Sequence, residues 1–152
     1  MKPKKEDKGS YLLILRLNKP KNIQIGRLGI IFFKKGFYIY VGSAMRGLSY
    51  RVKRHIGLKK VKHWHIDKLR QEALFCYAFT VHSSIRVECK LADALSKITQ
   101  WKVNRFGSSD CECETHLFGM SEDPICSKEF QRLIKNFRLS YFEPVEEVKI
   151  GK

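Results

Sequence analysis

Short apolar segments separated by turn residues dominate the first third of the chain and predict β-strands. The segments occupy residues 11–17, 23–25, 30–33 and 37–41. They are rich in aromatic and β-branched residues, whereas the stretches between them carry the glycine, proline and asparagine typical of turns. Because the connections are short, the sequence predicts antiparallel strands, and Gly42 and Ser43 are expected to end the last of them.

Beyond residue 45, apolar residues recur every three or four positions and predict helices. Leu48, Val52 and Ile56 fall on one face of the first helix. Ser84 and Ser127 are the predicted N-caps of two later helices. The predicted elements are helices at 48–56, 63–70, within 85–101 and at about 127–138, with strands at 73–81 and 116–120.

This order of elements predicts an α+β fold, with a small antiparallel sheet flanked by helices. A chain of 152 residues is long enough to bury a core and is typical of one domain. We expect that domain to span residues 9–142. Residues 1–8 are predicted to be a flexible basic tail, and residues 143–152 a charged tail.

The formal net charge of +15 favours a polyanionic partner, most often nucleic acid. General solubility, or a place on a membrane surface or a ribosome, is the alternative explanation for this charge. No apolar run approaches the roughly 20 residues that cross a bilayer, and the N-terminus lacks the apolar segment of a signal peptide. We therefore expect a cytoplasmic protein with no membrane partner.

The cysteine count is odd, which argues against a secreted disulfide framework. The five cysteines are Cys76, Cys89, Cys111, Cys113 and Cys126. Cys111, Cys113 and His116 have zinc-ligand side chains, although their spacing is not that of a standard zinc finger. A structural zinc site is one interpretation, and packed free cysteines are the other.

A second group of side chains has the chemistry needed to cleave a phosphodiester bond. That reaction needs a group that activates the nucleophile, a cation that stabilises the phosphate and a carboxylate that holds a metal ion. Tyr11 and Tyr40 lie on adjacent predicted strands, Arg51 and His55 follow on the first helix, and Glu88 lies on a later helix. The alternative is that these are ordinary strand residues and solvated helix charges.

Basic residues continue beyond this group and predict contacts with phosphates that carry no sequence information. The candidates are Arg46, Lys53, Arg54, Lys59, Lys60 and Lys62. A solvated positive face explains the same residues. Trp64, between His63 and His65, either stacks on a base or anchors the core, and its size favours the core anchor.

The order of these motifs resembles that of the GIY-YIG nuclease superfamily. Gly9-Ser-Tyr11 is followed by Tyr40-Val-Gly42, by Arg51 and His55, and by Glu88. The part from Tyr40 to His55 is similar to the homing-endonuclease branch. The resemblance covers roughly residues 9–118 and extends to a stand-alone GIY-YIG-like family of prokaryotes, mainly archaea. The stretches that carry this second resemblance are Phe37–Ala44, His63–Asp67, Glu88–Ala92 and Phe106–Cys111.

The resemblance implies a GIY-YIG endonuclease-like fold that cleaves nucleic acid with one divalent ion. It makes Tyr11 the general base, or the group that orients the attacking water, with Tyr40 beside it. Arg51 would hold the scissile phosphate, and His55 would assist proton transfer or contact the phosphate. Glu88 would coordinate Mg²⁺ or Mn²⁺, hard cations that prefer oxygen ligands.

The resemblance also assigns Gly42 a structural role in a tight turn.

The sequence departs from the superfamily pattern in three respects. Residues 18–36 form an extra predicted hairpin, and Arg51 falls one position later after Tyr40 than in the homing-endonuclease pattern. Asn104 is the only nearby candidate for the asparagine that many members carry late in the domain.

These observations predict a divalent-metal-dependent endonuclease that cleaves DNA. The main alternative is a non-catalytic DNA- or RNA-binding module on the same fold. The two differ in whether Tyr11, Tyr40, Arg51 and Glu88 line one phosphate-sized cleft. A third interpretation is a zinc-stabilised interaction domain, which predicts stoichiometric zinc bound by the cysteines and histidine of residues 111–116.

Overall fold

A computed structural model describes residues 6–58, 64–108 and 111–143. Its strands are β1 (Gly9–Leu17), β2 (Lys21–Ile25), β3 (Gly29–Phe33), β4 (Gly36–Ala44), β5 (Cys76–His82), β6 (Trp101–Lys102), β7 (Leu117–Met120) and β8 (Ser140–Phe142). Its α-helices are α1 (Leu48–Ile56), α2 (His65–Glu72), α3 (Glu88–Ser96) and α4 (Lys128–Asn136). Short 3₁₀ turns cover Gly26–Leu28 and Pro124–Cys126. The predicted α+β class is confirmed.

Six strands form one antiparallel sheet in the order β6-β7-β4-β1-β5-β8. β1 lies near the centre and pairs with β4 over its whole length, from Gly9 opposite Ala44 to Leu17 opposite Gly36. β2 and β3 pair only with each other and form a separate hairpin. Because β1 is paired on both sides and buried along most of its length, it fixes the positions of the elements around it.

Side chains alternate between the two faces of this sheet and meet different helices. On what we call the α1/α2 face, β1 and β4 pack against α1, α2 and the hairpin. On the α3/α4 face, the same strands pack against α3 and α4. Leu48 and Val52 of α1 are buried, as the helical spacing predicted, and so are Leu91 and Leu95 of α3.

The structure corrects several predicted boundaries. β4 runs through Gly42 and Ser43 to Ala44, so these two residues do not end the strand. The chain turns at residues 45–47 instead, where Gly47 has a φ of 60°. α3 begins with Val87 as N-cap rather than Ser84, and no side chain caps its first turn.

Ser127 caps α4 as predicted, because its Oγ accepts a hydrogen bond from the N–H of Phe130 at 3.2 Å. α2 begins at His65 rather than at residue 63, which lies outside the described residues. The sequence did not predict the short edge strands β6 and β8.

Much of both predicted tails, residues 1–5 and 144–152, lies outside the described part of the chain. Within that part, every helix is too short or too polar to cross a membrane.

Candidate functional site

A cleft of about 730 Å³ opens where the start of β1 lies beside the end of β4. The structure brings to its wall four of the five residues predicted for catalysis and for the hard cation: Tyr11, Tyr40, Arg51 and Glu88. They come from β1, β4, α1 and the first position of α3. The antiparallel pairing places the two tyrosines on neighbouring strands, so residues distant in the sequence share one wall.

Tyr11 lies across the backbone of β4 at Gly42. A Cβ atom on Gly42 would overlap the Cζ and Oη of the Tyr11 ring, and the register places the two residues opposite each other. Gly42 belongs to the strand and does not form a turn, so the predicted role in a tight turn is wrong. The absence of a side chain there instead makes room for the phenol.

Tyr40 lies beside Tyr11, with 6.4 Å between their ring centroids. Its ring packs against the backbone of Gly107, where φ is 68° and an added Cβ would come within 2.8 Å of the Tyr40 Cε1. A side chain at Gly107 would therefore be disfavoured both by the backbone conformation and by the tyrosine. The loop that follows β6 thus helps to fix the second phenol in the cleft wall.

His55 lies behind Tyr11 rather than in the cleft wall, and only 1% of it is exposed. Its Nε2 is 3.0 Å from the Tyr11 Oη, and its Nδ1 is 3.7 Å from an oxygen of buried Asp67. Both terminal nitrogens of Arg54 donate to the Asp67 carboxylate at 3.1 Å, as does the backbone N–H of Trp64 at 2.9 Å. A chain of polar groups therefore leads from the Tyr11 hydroxyl into the protein.

Arg51 is held in place from two sides. Its Nη1 donates to the carbonyl of Ser43 at 3.0 Å, and its guanidinium lies 4.7 Å from the centre of the Trp64 ring. Trp64 packs partly against the core, but it is only half-buried and also lines the cleft, so the expected buried anchor is only part of its role. The cation is thus oriented before any ligand binds.

Burial decides the protonation of both phenols. It raises the pKa of Tyr40 to about 12, with a smaller contribution from the carboxylate of Glu88. Burial also raises the pKa of Tyr11 well above its usual value, assisted by Tyr40 and opposed by Arg51. Both side chains are therefore protonated at neutral pH, and neither is a base without a second group to take its proton.

A group of metal-binding side chains borders the same cleft. The ligand atoms of Cys89, Cys111, Cys113 and His116 all lie within 4.8 Å of one another, an arrangement that can hold a metal ion. The sequence predicted three of these residues, and the structure adds Cys89. Burial lowers the pKa of His116, so its imidazole is neutral at pH 7, the form that binds metals.

The predicted phosphate-binding residues occupy different environments. Arg46 is exposed and lines the cleft, whereas Lys53 is exposed on α1 and does not line it. Arg54 forms an ion pair with Asp67 at 3.1 Å, a contact within the fold. The remaining candidates lie outside the described residues: Lys59, Lys60 and Lys62.

A basic groove adjoins the cleft. His65 lines the cleft and also an open pocket bordered by Arg27, by Arg105 and by Lys102, which forms an ion pair with Glu114. Asn104, the candidate for the superfamily's late asparagine, lines this groove and not the cleft. Positive side chains from the hairpin and from the loop after β6 therefore continue from the cleft along the surface.

Sequence reasoning missed three residues of this site. Asp67 has a local signal, because an acidic residue at the third position of a helix commonly accepts from the N-cap N–H. Gly107 carries the signal of an isolated glycine within a loop, which marks a special backbone conformation. Nothing in the sequence marks Cys89 as a metal ligand, because it is exposed on a helix and is far along the chain from the other three ligands.

Comparison with known proteins places the chain in a family. Neither the curated proteins nor the solved structures contain a match to it. One family model matches residues 10–139, which includes the cleft residues and the cysteine–histidine cluster. The matched residues make up most of the 152-residue chain, which therefore belongs to the family described as domain of unknown function DUF123.

Proposed function

We propose that this protein is a divalent-metal-dependent endonuclease of the GIY-YIG type that cleaves phosphodiester bonds in DNA. The observation that carries the proposal is the shared cleft of Tyr11, Tyr40, Arg51 and Glu88. Phenol hydroxyls, a guanidinium and a carboxylate are the groups needed to orient a water molecule, bind a phosphate and hold a hard cation. The net charge of +15 supports a polyanionic substrate.

Arg51 has the role of binding the scissile phosphate. Its contacts with Ser43 and Trp64 hold the guanidinium at the cleft wall, so little reorganisation is needed when a phosphate enters. A planar guanidinium donates two parallel hydrogen bonds to phosphate oxygens. It therefore stabilises the negative charge that develops as the phosphorus–oxygen bond breaks.

Tyr11 and His55 provide a route for the proton of the attacking water. The raised pKa of Tyr11 means that its phenol cannot hold a negative charge alone. The water proton moves to the Tyr11 oxygen as the Tyr11 proton moves to His55 Nε2, 3.0 Å away. The imidazolium that results lies 3.7 Å from the Asp67 carboxylate, which stabilises its charge. Solvent supplies the proton that the leaving oxygen takes up.

Glu88 is the residue that would hold Mg²⁺ or Mn²⁺. It is a carboxylate on the cleft wall, only partly buried, and these ions are commonly held by one or two carboxylates together with substrate phosphate oxygens. The donor set therefore fits a hard cation once nucleic acid is bound. When bound, the ion neutralises charge on the phosphate and the leaving oxygen.

The cysteine–histidine cluster suits a different metal. Thiolate and imidazole ligands favour zinc over magnesium or manganese. We therefore assign zinc to Cys89, Cys111, Cys113 and His116, and the hard ion to Glu88. The two sites are expected to take different metals, because their ligands differ in chemical class.

The basic groove supports binding of the DNA beyond the scissile bond. Arg27, Lys34 and Arg105 line it, and His65 joins it to the cleft. Contacts of these side chains with phosphates are independent of sequence and weaken as salt concentration rises. The extra hairpin contributes Arg27 and Lys34, so it belongs to the binding surface in this proposal.

Cleavage assays with the purified protein test the proposal. The substrates are supercoiled, branched and single-stranded DNA and structured RNA, with Mg²⁺ or Mn²⁺ either added or withheld. Withholding the ion is preferable to adding EDTA, because a chelator would also remove zinc from the cluster. We expect metal-dependent cleavage of DNA, reduced by about a thousandfold in both Glu88→Gln and Arg51→Ala while binding and folding are retained.

Glu122→Gln and Arg132→Ala are the matched controls, because both residues are exposed and neither lines the cleft. Salt-sensitive binding without cleavage under any condition would identify a nucleic-acid-binding module instead of an enzyme. Cleavage of RNA but not of DNA would support the nuclease activity and identify RNA, rather than DNA, as the substrate. Cleavage that survives both cleft substitutions would assign the activity to another site or to a contaminant.

A further inference from the structure

The four metal-binding side chains come from two separate segments. Cys111, Cys113 and His116 belong to the loop that leads into β7, whereas Cys89 is the second residue of α3. Ligand sulfurs on a tetrahedral zinc ion lie about 3.8 Å apart, given zinc–sulfur bonds of about 2.3 Å. Because all four ligand atoms already lie within 4.8 Å of one another, only a small closing movement is needed.

The loop segment is already anchored to the sheet. His116 donates its backbone N–H to the carbonyl of Phe106 at 2.8 Å, and its own carbonyl accepts from Val41 of β4 at 2.9 Å. Its side chain is only 3% exposed. Cys111 Sγ lies 3.3 Å from the His116 Nε2. His116 therefore stands on a fixed base beside the cleft, with Cys111 in contact with it.

The start of α3 is less well held. Among the described residues, no side chain caps its first turn, and the N–H of Val87 donates to Ser10 Oγ at a long 3.4 Å. The buried anchors of the helix, Leu91 and Leu95, begin one turn later. A helix end without a cap frays. Yet Glu88, the carboxylate of the cleft, is the first residue of this turn.

We propose that Cys89, Cys111, Cys113 and His116 form a closed zinc centre that fixes the first turn of α3 to the loop, and so holds the adjacent Glu88 in the cleft. Zinc binding would release the thiol protons to solvent and leave no open coordination position, so the centre is structural rather than catalytic. Glu88, Cys111 and His116 line the same cleft, which brings the centre next to the residue that it positions. The assignment of Glu88 as a positioned catalytic carboxylate rests on the proposed endonuclease function.

Metal content and amide hydrogen exchange test this proposal without any activity assay. Protein purified with a reductant should contain about one zinc per chain, and cobalt in its place should give the absorption of thiolate-bound cobalt. Cys89→Ser should lose most of the zinc and should exchange the amides of residues 91 and 92 at least about tenfold faster, because the Leu91 N–H donates to the Val87 carbonyl in the first turn of α3, whereas α4 stays protected. Cys126→Ser is the control, because Cys126 is an exposed cysteine outside the cluster.

Wild-type protein stripped by a chelator provides the same comparison if Cys89→Ser does not fold, and added zinc should restore slow exchange in α3. Wild-type protein that binds no zinc, or Cys89→Ser that binds it as well as the wild type, would overturn the centre. Bound zinc with no effect on exchange of the amides of residues 91 and 92 would overturn its positioning role. If zinc binds and protects α3 but nothing is cleaved, the zinc centre stands and only the endonuclease proposal fails.

Discussion

The two faces of the central sheet are built from the same strands but bury different chemistry. On the α3/α4 face, β1 and β4 present apolar side chains that pack against apolar residues of both helices. On the α1/α2 face, the alternate positions include Tyr11, Tyr38 and Tyr40. The helices covering that face bury His55 and Asp67. One face is therefore almost wholly apolar, and the other combines a core with ionisable groups.

This difference indicates a division of tasks. Buried polar groups destabilise a fold unless they are hydrogen-bonded. The α1/α2 face meets that condition with specific pairs: Tyr11 contacts His55 at 3.0 Å, and Tyr38 donates to the carbonyl of Lys34 at 2.7 Å. The α3/α4 face buries mainly apolar side chains and is stabilised chiefly by their packing. Substitutions on the two faces should consequently affect different properties.

The largest expected loss of stability comes from the apolar face. Phe130→Ala removes a side chain that is 1% exposed and packs edge-on against Phe79, with 5.9 Å between ring centroids. We expect the free energy of unfolding to fall by about 4 kcal/mol, measured by urea titration. Ile85→Ala, at a residue that is 68% exposed, should change it little. If Phe130→Ala also lowers cleavage per folded molecule, the two faces are not independent.

The polar face should lose stability at alkaline pH. Tyr40 has a pKa of about 12 in the folded protein and about 10 when unfolded, so its contribution is fully present below pH 10 and is lost as pH rises to 12. This loss amounts to about 3 kcal/mol. Tyr40→Phe should reduce the fall in unfolding free energy between pH 10 and 12. Tyr141→Phe is the control, because Tyr141 is exposed, and it should show the same fall as the wild type. If Tyr40→Phe shows that same fall as well, the pKa of Tyr40 is not raised by burial.

Crowding Tyr11 should affect the polar face more specifically. Gly42→Ala places a methyl group where the Tyr11 ring lies, so the ring must move away from His55. We expect a loss of about 2 kcal/mol in unfolding free energy and at least about tenfold slower cleavage. Gly57→Ala is the matched control, because its φ is −66° and its nearest atoms lie 3.6 Å away. Equal effects of the two substitutions would contradict the close packing of Tyr11 on Gly42.

The smallest effect concerns the two helices of the apolar face. Ser127→Ala removes the side chain that caps α4 and should lower the unfolding free energy by about 1 kcal/mol. Ser84→Ala should leave it within about 0.5 kcal/mol of the wild type, because Ser84 is exposed and does not cap α3. Thermal unfolding of both variants measures the difference. A larger loss in Ser84→Ala would mean that α3 begins earlier than the structure shows.

Much of the fold could be predicted because its signals are local. β1, β4 and α4 each carry their own apolar pattern, and Ser127 marks the start of α4 within three residues of the N–H that it caps. β6 and β8 carry no such signal. Each has three residues or fewer and forms by pairing with β7 or β5, a contact that the sequence pattern does not contain.

The candidate site was predictable only in part, for the same reason. Tyr11, Tyr40 and Glu88 follow from the order of recognisable motifs. The space that Gly42 provides follows from its register with Tyr11, which depends on how β1 and β4 pair. Cys89 joins its cluster only because α3 packs beside the loop before β7. Residues whose role depends on a partner far along the chain become visible only in the folded protein.

The most direct test of the proposed cleft is the rate of a single round of metal-dependent DNA cleavage in Glu88→Gln, Arg51→Ala and the double variant. If both side chains act on one phosphate, each single substitution should reduce the rate by about a thousandfold, and the double variant should be little slower than either. Single-substitution effects that multiply in the double variant would mean that the two side chains act independently of each other. Wild-type protein that cuts none of the substrates would contradict the assignment of this cleft as an active site.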